Sequence, residues 1–146
     1  MGRFAETCSF ITLVSIKTPA YYLQSTGLRI RYLLFYFVTD DNTWTELEAP
    51  TSPRCAHGSA LTQSRHLDTF GGWDGMGTIF NDCISYDTET NAWTTIENVE
   101  ERESNQSVPR FAHCIASIST DKILLAGGVN ASHDLCDTVV IQRTHG

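Results

Sequence analysis

Several things are missing from this sequence. No run of about 20 apolar residues is present, the length a helix needs to cross a bilayer, so no membrane role is expected. Phe10 to Ile16 is apolar but too short and too interrupted for a signal sequence, and no clear A-x-A cleavage site follows it. Met1-Gly2 is followed by Glu6 where N-myristoylation wants Ser or Thr. The five cysteines (Cys8, Cys55, Cys83, Cys114 and Cys136) are odd in number and form no C-x-x-C pair, which fits small buried thiols in a reducing compartment better than a disulfide framework. The cytoplasm, or the nucleus, is therefore the expected location, and Asn105-Gln106-Ser107 and Asn130-Ala131-Ser132 read as chance sequons in loops. Basic residues are also scarce, 10 against 17 acidic, for a formal charge of −7. The whole deficit lies in 47–146, with six basic and thirteen acidic side chains, and such a region argues against nucleic acid, whose binders present basic stripes.

Catalytic and metal signatures are equally thin. The sequence has no H-x-x-x-H and no carboxylate cluster to suggest zinc, no G-x-S-x-G elbow and no phosphate loop. Cys55-Ala56-His57 and His113-Cys114 invite a metal reading, but alternation along a strand puts His113 and Cys114 on opposite faces. Gly71 to Gly77 is glycine-rich yet leads into a strand, so it lacks the helix N-terminus that cradles phosphate. No segment carries a helical period, and the whole reads as β.

What is present is a repeat. The apolar run Leu67 to Phe70 ends at Gly71-Gly72, and Asn81-Asp82, Tyr86-Asp87, Asn91 and Trp93 follow. Pro53-Arg54-x-Ala56-His57 precedes that diglycine, which begins fourteen residues after the histidine. Pro109-Arg110-x-Ala112-His113 precedes Gly127-Gly128 at the same interval, and Asp137 follows where Asp82 did, one residue earlier. A partial copy lies upstream, where Phe37, Asn42 and Trp44 match the spacing of Tyr86, Asn91 and Trp93. Self-similarity at about 50 residues marks a propeller blade.

These residues resemble the kelch repeat, in the variety that opens Pro-Arg-x-x-His, over roughly 37–141. The resemblance implies an all-β partial propeller of four-stranded antiparallel blades whose ring is not closed, because propellers need about four to eight blades. It implies a divergent N-terminal segment at 1–36 and kelch repeats over 37–146: a partial blade at 28–47, a complete one at 53–97 and an incomplete one at 108–143. Strands are expected near 28–38 and 44–47, at 55–62, 66–71, 82–87 and 92–97, and near 112–119, 122–127 and 137–142. The acidic stretch 97–107 reads as a solvated insertion. Three explanations of the small size stand open: a piece of a longer propeller, favoured here, a chain that self-associates through open blade faces, or a marginal open stack.

Arg54, His57, Gly71, Gly72, Asp82, Tyr86, Trp93, Arg110, His113, Gly127, Gly128 and Asp137 recur with the blade, and residues that recur serve the blade. The arginines and histidines are expected to hydrogen-bond neighbouring loops and carboxylates such as Asp82 or Asp87, and Tyr86 and Trp93 to cover the diglycine. Function is expected on the loops, with Trp73, Asp74, Met76, Asn130 and His133 as candidate partner-binding residues, while Ile79 and Phe80 pack back onto the blade. By resemblance the chain is a non-catalytic protein-protein interaction module, a scaffold or substrate-recruiting adaptor. Its partner would be another protein, with no nucleic acid, membrane, metal or cofactor. Some kelch propellers are copper oxidases or a sialic-acid epimerase, so an enzyme or small-molecule binder is the alternative; a truncated product without independent function is another.

Overall fold

A computed structural model describes residues 11–15, 20–26, 31–38, 43–48, 52–96, 99–101 and 108–143. Among them there is no helix, and twelve strands form three four-stranded antiparallel sheets. The first comprises β1 (Ile11–Ser15), β2 (Ala20–Thr26), β3 (Arg31–Val38) and β4 (Thr43–Leu47), side by side in chain order. The second has the same order: β5 (Gly58–Thr62), β6 (His66–Phe70), β7 (Cys83–Asp87) and β8 (Ala92–Thr95). The third is built from β9 (Val99–Glu101), β10 (Cys114–Ser117), β11 (Lys122–Ala126) and β12 (Thr138–Arg143), in the order β10-β11-β12-β9.

Two parts of this differ from what the repeat suggests. The first sheet takes its two inner strands from residues 11–26, which carry no recognisable repeat motif. The repeat shows only in its outer half, where Phe37 pairs with Trp44 as Tyr86 pairs with Trp93. In the third sheet the fourth strand comes from ahead of the sheet, in the stretch read as a solvated insertion. Three residues of that stretch complete a ladder; 97–98 and 102–107 lie outside the described residues.

The inner strands follow one another in space, β1 against β5 and β5 against β10. No ring closes among the described residues, and the architecture is an all-β partial propeller. Between the second and third sheets lies one apolar core of Ala60, Phe70, Cys83, Ile123, Leu125, Val139 and Ile141, with Ile96 and Ile115 against it. Position along each strand explains the set: Ile123, Leu125, Val139 and Ile141 are alternate residues of β11 and β12, so they share a face. The second sheet, with a neighbour on each side, is buried almost throughout β5, β6 and β7. The inner strand β10 has a neighbour on one side only among the described residues, and Cys114, Ala116 and Ser117 are exposed.

The first diglycine does not hold the rings of Tyr86 and Trp93, which corrects the expectation for those two residues. Tyr86 lies opposite Leu67 and Trp93 opposite Tyr86, four residues along the ladder from Gly71. Their rings pack on each other at 5.1 Å between centroids; the Tyr86 hydroxyl donates to Asn91 Oδ1 at 2.9 Å, and Trp93 Nε1 donates to the Glu48 carbonyl at 2.8 Å. What closes on the glycines is backbone together with the histidine and arginine side chains of the cassettes. Gly71 and Gly72 have φ of 62° and 102°, and Gly127 and Gly128 have 64° and 102°, a left-handed path that favours glycine. A Cβ on Gly71 would strike the Arg110 carbonyl of the third sheet, and one on Gly72 would sit 2.9 Å from the Cys55 carbonyl.

The last glycine pair gives a comparison within one molecule. Gly127 shares the backbone conformation of Gly71, but the nearest atom to its Cβ position is the Leu135 carbonyl at 3.3 Å. Gly71→Ala and Gly127→Ala therefore carry the same strain of a left-handed residue, while only the former drives two sheets apart. Gly71→Ala is expected to cost roughly 1–3 kcal/mol more in urea unfolding than Gly127→Ala. Equal losses would show that the Gly71–Arg110 approach does not hold the sheets together.

Candidate functional site

The site is built on two equivalent joints. Arg54 is fully buried and donates through both terminal nitrogens to Asp82, at 2.6 and 2.9 Å, and through Nη1 to the Gly71 carbonyl at 3.1 Å. Arg110 repeats this on Asp137, at 2.7 and 2.8 Å, and on the Gly127 carbonyl at 3.0 Å. The Gly71 and Gly127 amides in turn donate to the carbonyls of Asp82 and Asp137. A guanidinium suits this place because its planar fork meets a carboxylate at two points with donors left for a carbonyl. The pairing holds the Asp137 carboxyl below the usual carboxylate range. Asp87, the alternative acceptor, is bound by Arg65 at 2.7 Å instead.

Each joint sets the root of a loop. Cys55 bridges to Trp73 and Trp73 to Ile79; Phe111 bridges to Val129 and Val129 to Asp134. Asp74 then accepts from the Met76 and Thr78 amides at 2.8 and 2.9 Å, and Asn130 from the Ser132 and His133 amides at 2.8 and 3.0 Å. The Thr78 side chain and these amides hold the Asp74 carboxyl below its ordinary range, so it stays ionised. Asp74 and Asn130 thus shape corresponding turns, since Asx side chains readily cap their own backbone.

The two loops share one face. An open cleft of about 310 Å³ lies between them, lined by Gly77, Ile79, Pro109, Asn130, Ala131 and Ser132. Met76, next to Gly77 in the chain, is 90% exposed. Trp73 is 38% exposed and stacks at 6.2 Å on Phe111 of the third sheet, so it is half joint and half surface. His133 is exposed on the second loop, whereas Ile79 and Phe80 are only partly exposed, and the Phe80 ring lies 4.1 Å under the Arg54 guanidinium. No group of His, Cys, Asp or Glu among the described residues could hold a metal ion.

One cluster has no signal in the repeat. Arg143, at the end of β12, reaches into the second sheet, with Nη2 donating to Ser85 Oγ at 2.8 Å and Nη1 lying 3.5 Å from Asp68 Oδ1. Asp68 is buried and accepts from the Thr62 hydroxyl at 2.6 Å. Neither Asp68 nor Arg143 belongs to a recurring cassette, so spacing alone could not select them.

The histidines are structural in setting. His113 is buried against Gly58 and Gly71 and meets Phe70 edge-on at 5.8 Å. Burial, then the Arg110 charge, lowers its pKa to about 4; burial, then Arg54, lowers that of His57 to about 3. Both are neutral at pH 7. An unfolded chain would protonate them near the ordinary value of about 6.5, so the unfolded state takes up more protons as acid is added. Their contribution is complete above that value and shrinks as pH falls toward about 4. Urea midpoints should therefore drop between pH about 7 and about 5, and His113→Gln should show a shallower drop. An unchanged slope in that variant would remove His113 from the effect.

The kelch motif matches residues 69–99. Over 147 aligned residues the chain is 29% identical to the leucine-zipper-like transcriptional regulator 1 homolog of Drosophila melanogaster, covering 92% of this chain and 14% of that protein. It is 32% identical over 117 residues to the dynein alpha chain of the flagellar outer arm of Chlamydomonas reinhardtii, covering 71% of this chain and 2% of that one. The chain thus spans a small part of the length of both relatives. Repeated antiparallel sheets, joined at arginine–diglycine contacts, define a propeller of the repeat class. Within that class, the motif matched at residues 69–99 supports a kelch repeat. Kelch repeats generally mediate protein-protein interaction, and no helix among the described residues is long and apolar enough to cross a membrane.

Proposed function

We propose that the chain is a non-catalytic kelch-type scaffold or substrate-recruiting adaptor that holds another protein against its loop face. The observation that carries this is the pairing of two equivalent loops around one cleft, with exposed Met76 and Trp73 on the first of them. Methionine and tryptophan give large, adaptable contact area, and both are enriched where proteins meet. Asp74 and Asn130 serve this face by fixing loop shape, and His133 adds a polar group to its edge. The joints beneath keep the loops in place, so less conformational freedom is lost on binding. Cys83, Cys114 and Cys136 are free thiols, the last two exposed where buried thiols were expected, and burial pushes the Cys83 thiol well up from its ordinary value. Unpaired thiols support a reducing compartment, the cytoplasm or nucleus.

Affinity capture with the wild-type chain, Met76→Asp and Trp73→Ala tests the assignment. Met76 is nearly free of the fold, so its variant should keep the wild-type unfolding midpoint while losing the captured partner. Identical partner sets from all three baits would remove the loop face as the docking surface.

A further inference from the structure

Asp74 and Asn130 hold equivalent positions and differ in charge. Each lies three residues after the first glycine of its pair and accepts from the amides of its own loop, Asp74 from Met76 and Thr78, Asn130 from Ser132 and His133. The neutral Asn130 shows that such a turn needs an acceptor oxygen and no charge. A carboxylate at 74 therefore goes beyond what the fold asks.

Nothing nearby neutralises it. Of the basic residues described in the second and third sheets, Arg54 and Arg110 are fully buried and committed to Asp82 and Asp137. Arg65, Lys122 and Arg143 stand at the ends of the strands away from the loops, just before β6, at the start of β11 and at the end of β12. No arginine or lysine among the described residues of these sheets is thus exposed on the loop face, where Asp74 is joined by the exposed Asp134 of the second loop. The amides that hold Asp74 flank Gly77, which places its charge beside the cleft lining. That lining is apolar at Ile79, Pro109 and Ala131, and Trp73, next to Asp74 in the chain, is 38% exposed.

On the footing that the loop face is the docking surface, we infer that the partner segment it holds is basic. An apolar side chain of that segment enters the cleft, and an arginine or lysine beside it lies over the Trp73 ring and pairs with Asp74 or Asp134. A cation over an aromatic face with a carboxylate at hand gains from both, and an acidic segment would meet like charge.

Fluorescein-labelled peptides that alternate leucine with arginine, glutamine or glutamate are titrated into the full chain and followed by anisotropy. The arginine peptide should saturate, the glutamine peptide should bind at least about fivefold more weakly, and the glutamate peptide should not bind. Asp74→Asn keeps the acceptor oxygen, so it should retain the wild-type unfolding midpoint while weakening the arginine peptide roughly threefold, and roughly tenfold once Asp134→Asn is added. Glu89→Gln removes the same charge from the opposite end of the second sheet and should leave binding unchanged. Equal affinity for all the peptides, no binding of the arginine peptide, or equal weakening by Glu89→Gln would overturn the inference. Trp73→Ala separates it from the docking surface itself. Binding lost in that variant but indifferent to Asp74→Asn would keep the loop face and remove its preference for cations; binding indifferent to both would remove the two together.

Discussion

A buried guanidinium cannot be left without acceptors, and much of the described structure answers that requirement at Arg54 and Arg110. Taking such a charge out of water costs several kcal/mol unless every donor finds a partner. Each arginine recruits a carboxylate from the start of the third strand of its sheet and a carbonyl from the diglycine. Those contacts fix where the second strand ends, where the third begins and where the intervening loop leaves. The glycines follow from the same demand, since the next sheet's Arg110 backbone passes where a side chain on Gly71 would be. Arg110 thus joins two sheets, through its side chain inside its own and through its carbonyl, which accepts from the Gly72 amide at 2.9 Å.

The loop face depends on these joints without sharing their chemistry. Loops on a scaffold whose roots are pinned by charged hydrogen bonds and β-bridges can carry residues that do nothing for the fold, and Met76 is one. Trp73 is less free, because its stacking on Phe111 ties the first loop to the third sheet. Shape on this face is therefore set by both sheets at once. The Arg143 contacts with Ser85 and Asp68 reinforce the same interface away from the loops.

The repeated cassettes were legible because recurrence marks positions where every sheet faces the same problem. Arg54, Asp82 and Gly71, and their later equivalents, could be grouped from spacing alone. The role of the glycines could not, because the rings of Tyr86 and Trp93 lie nearby in sequence while the actual neighbour, the Arg110 carbonyl, lies 39 residues away. The inner strands of the first sheet were hidden for a related reason: residues 11–15 and 20–26 pair as strands without the diglycine or the arginine. β9 was hidden by its composition, since Glu100 and Glu101 belong to a stretch whose acidity suggests solvent. Asp68 and Arg143 meet once only, and a contact made once leaves no pattern.

The unequal cover of the inner strands also sets an order of events. β5 is flanked by β1 and β10, whereas Cys114 to Ile118 is largely open to water. Free energy of local opening follows such cover, so the third sheet should breathe on its own while the second opens only with the molecule as a whole. A protease meeting this chain would reach Cys114 to Ile118 well before the buried strands of the middle sheet.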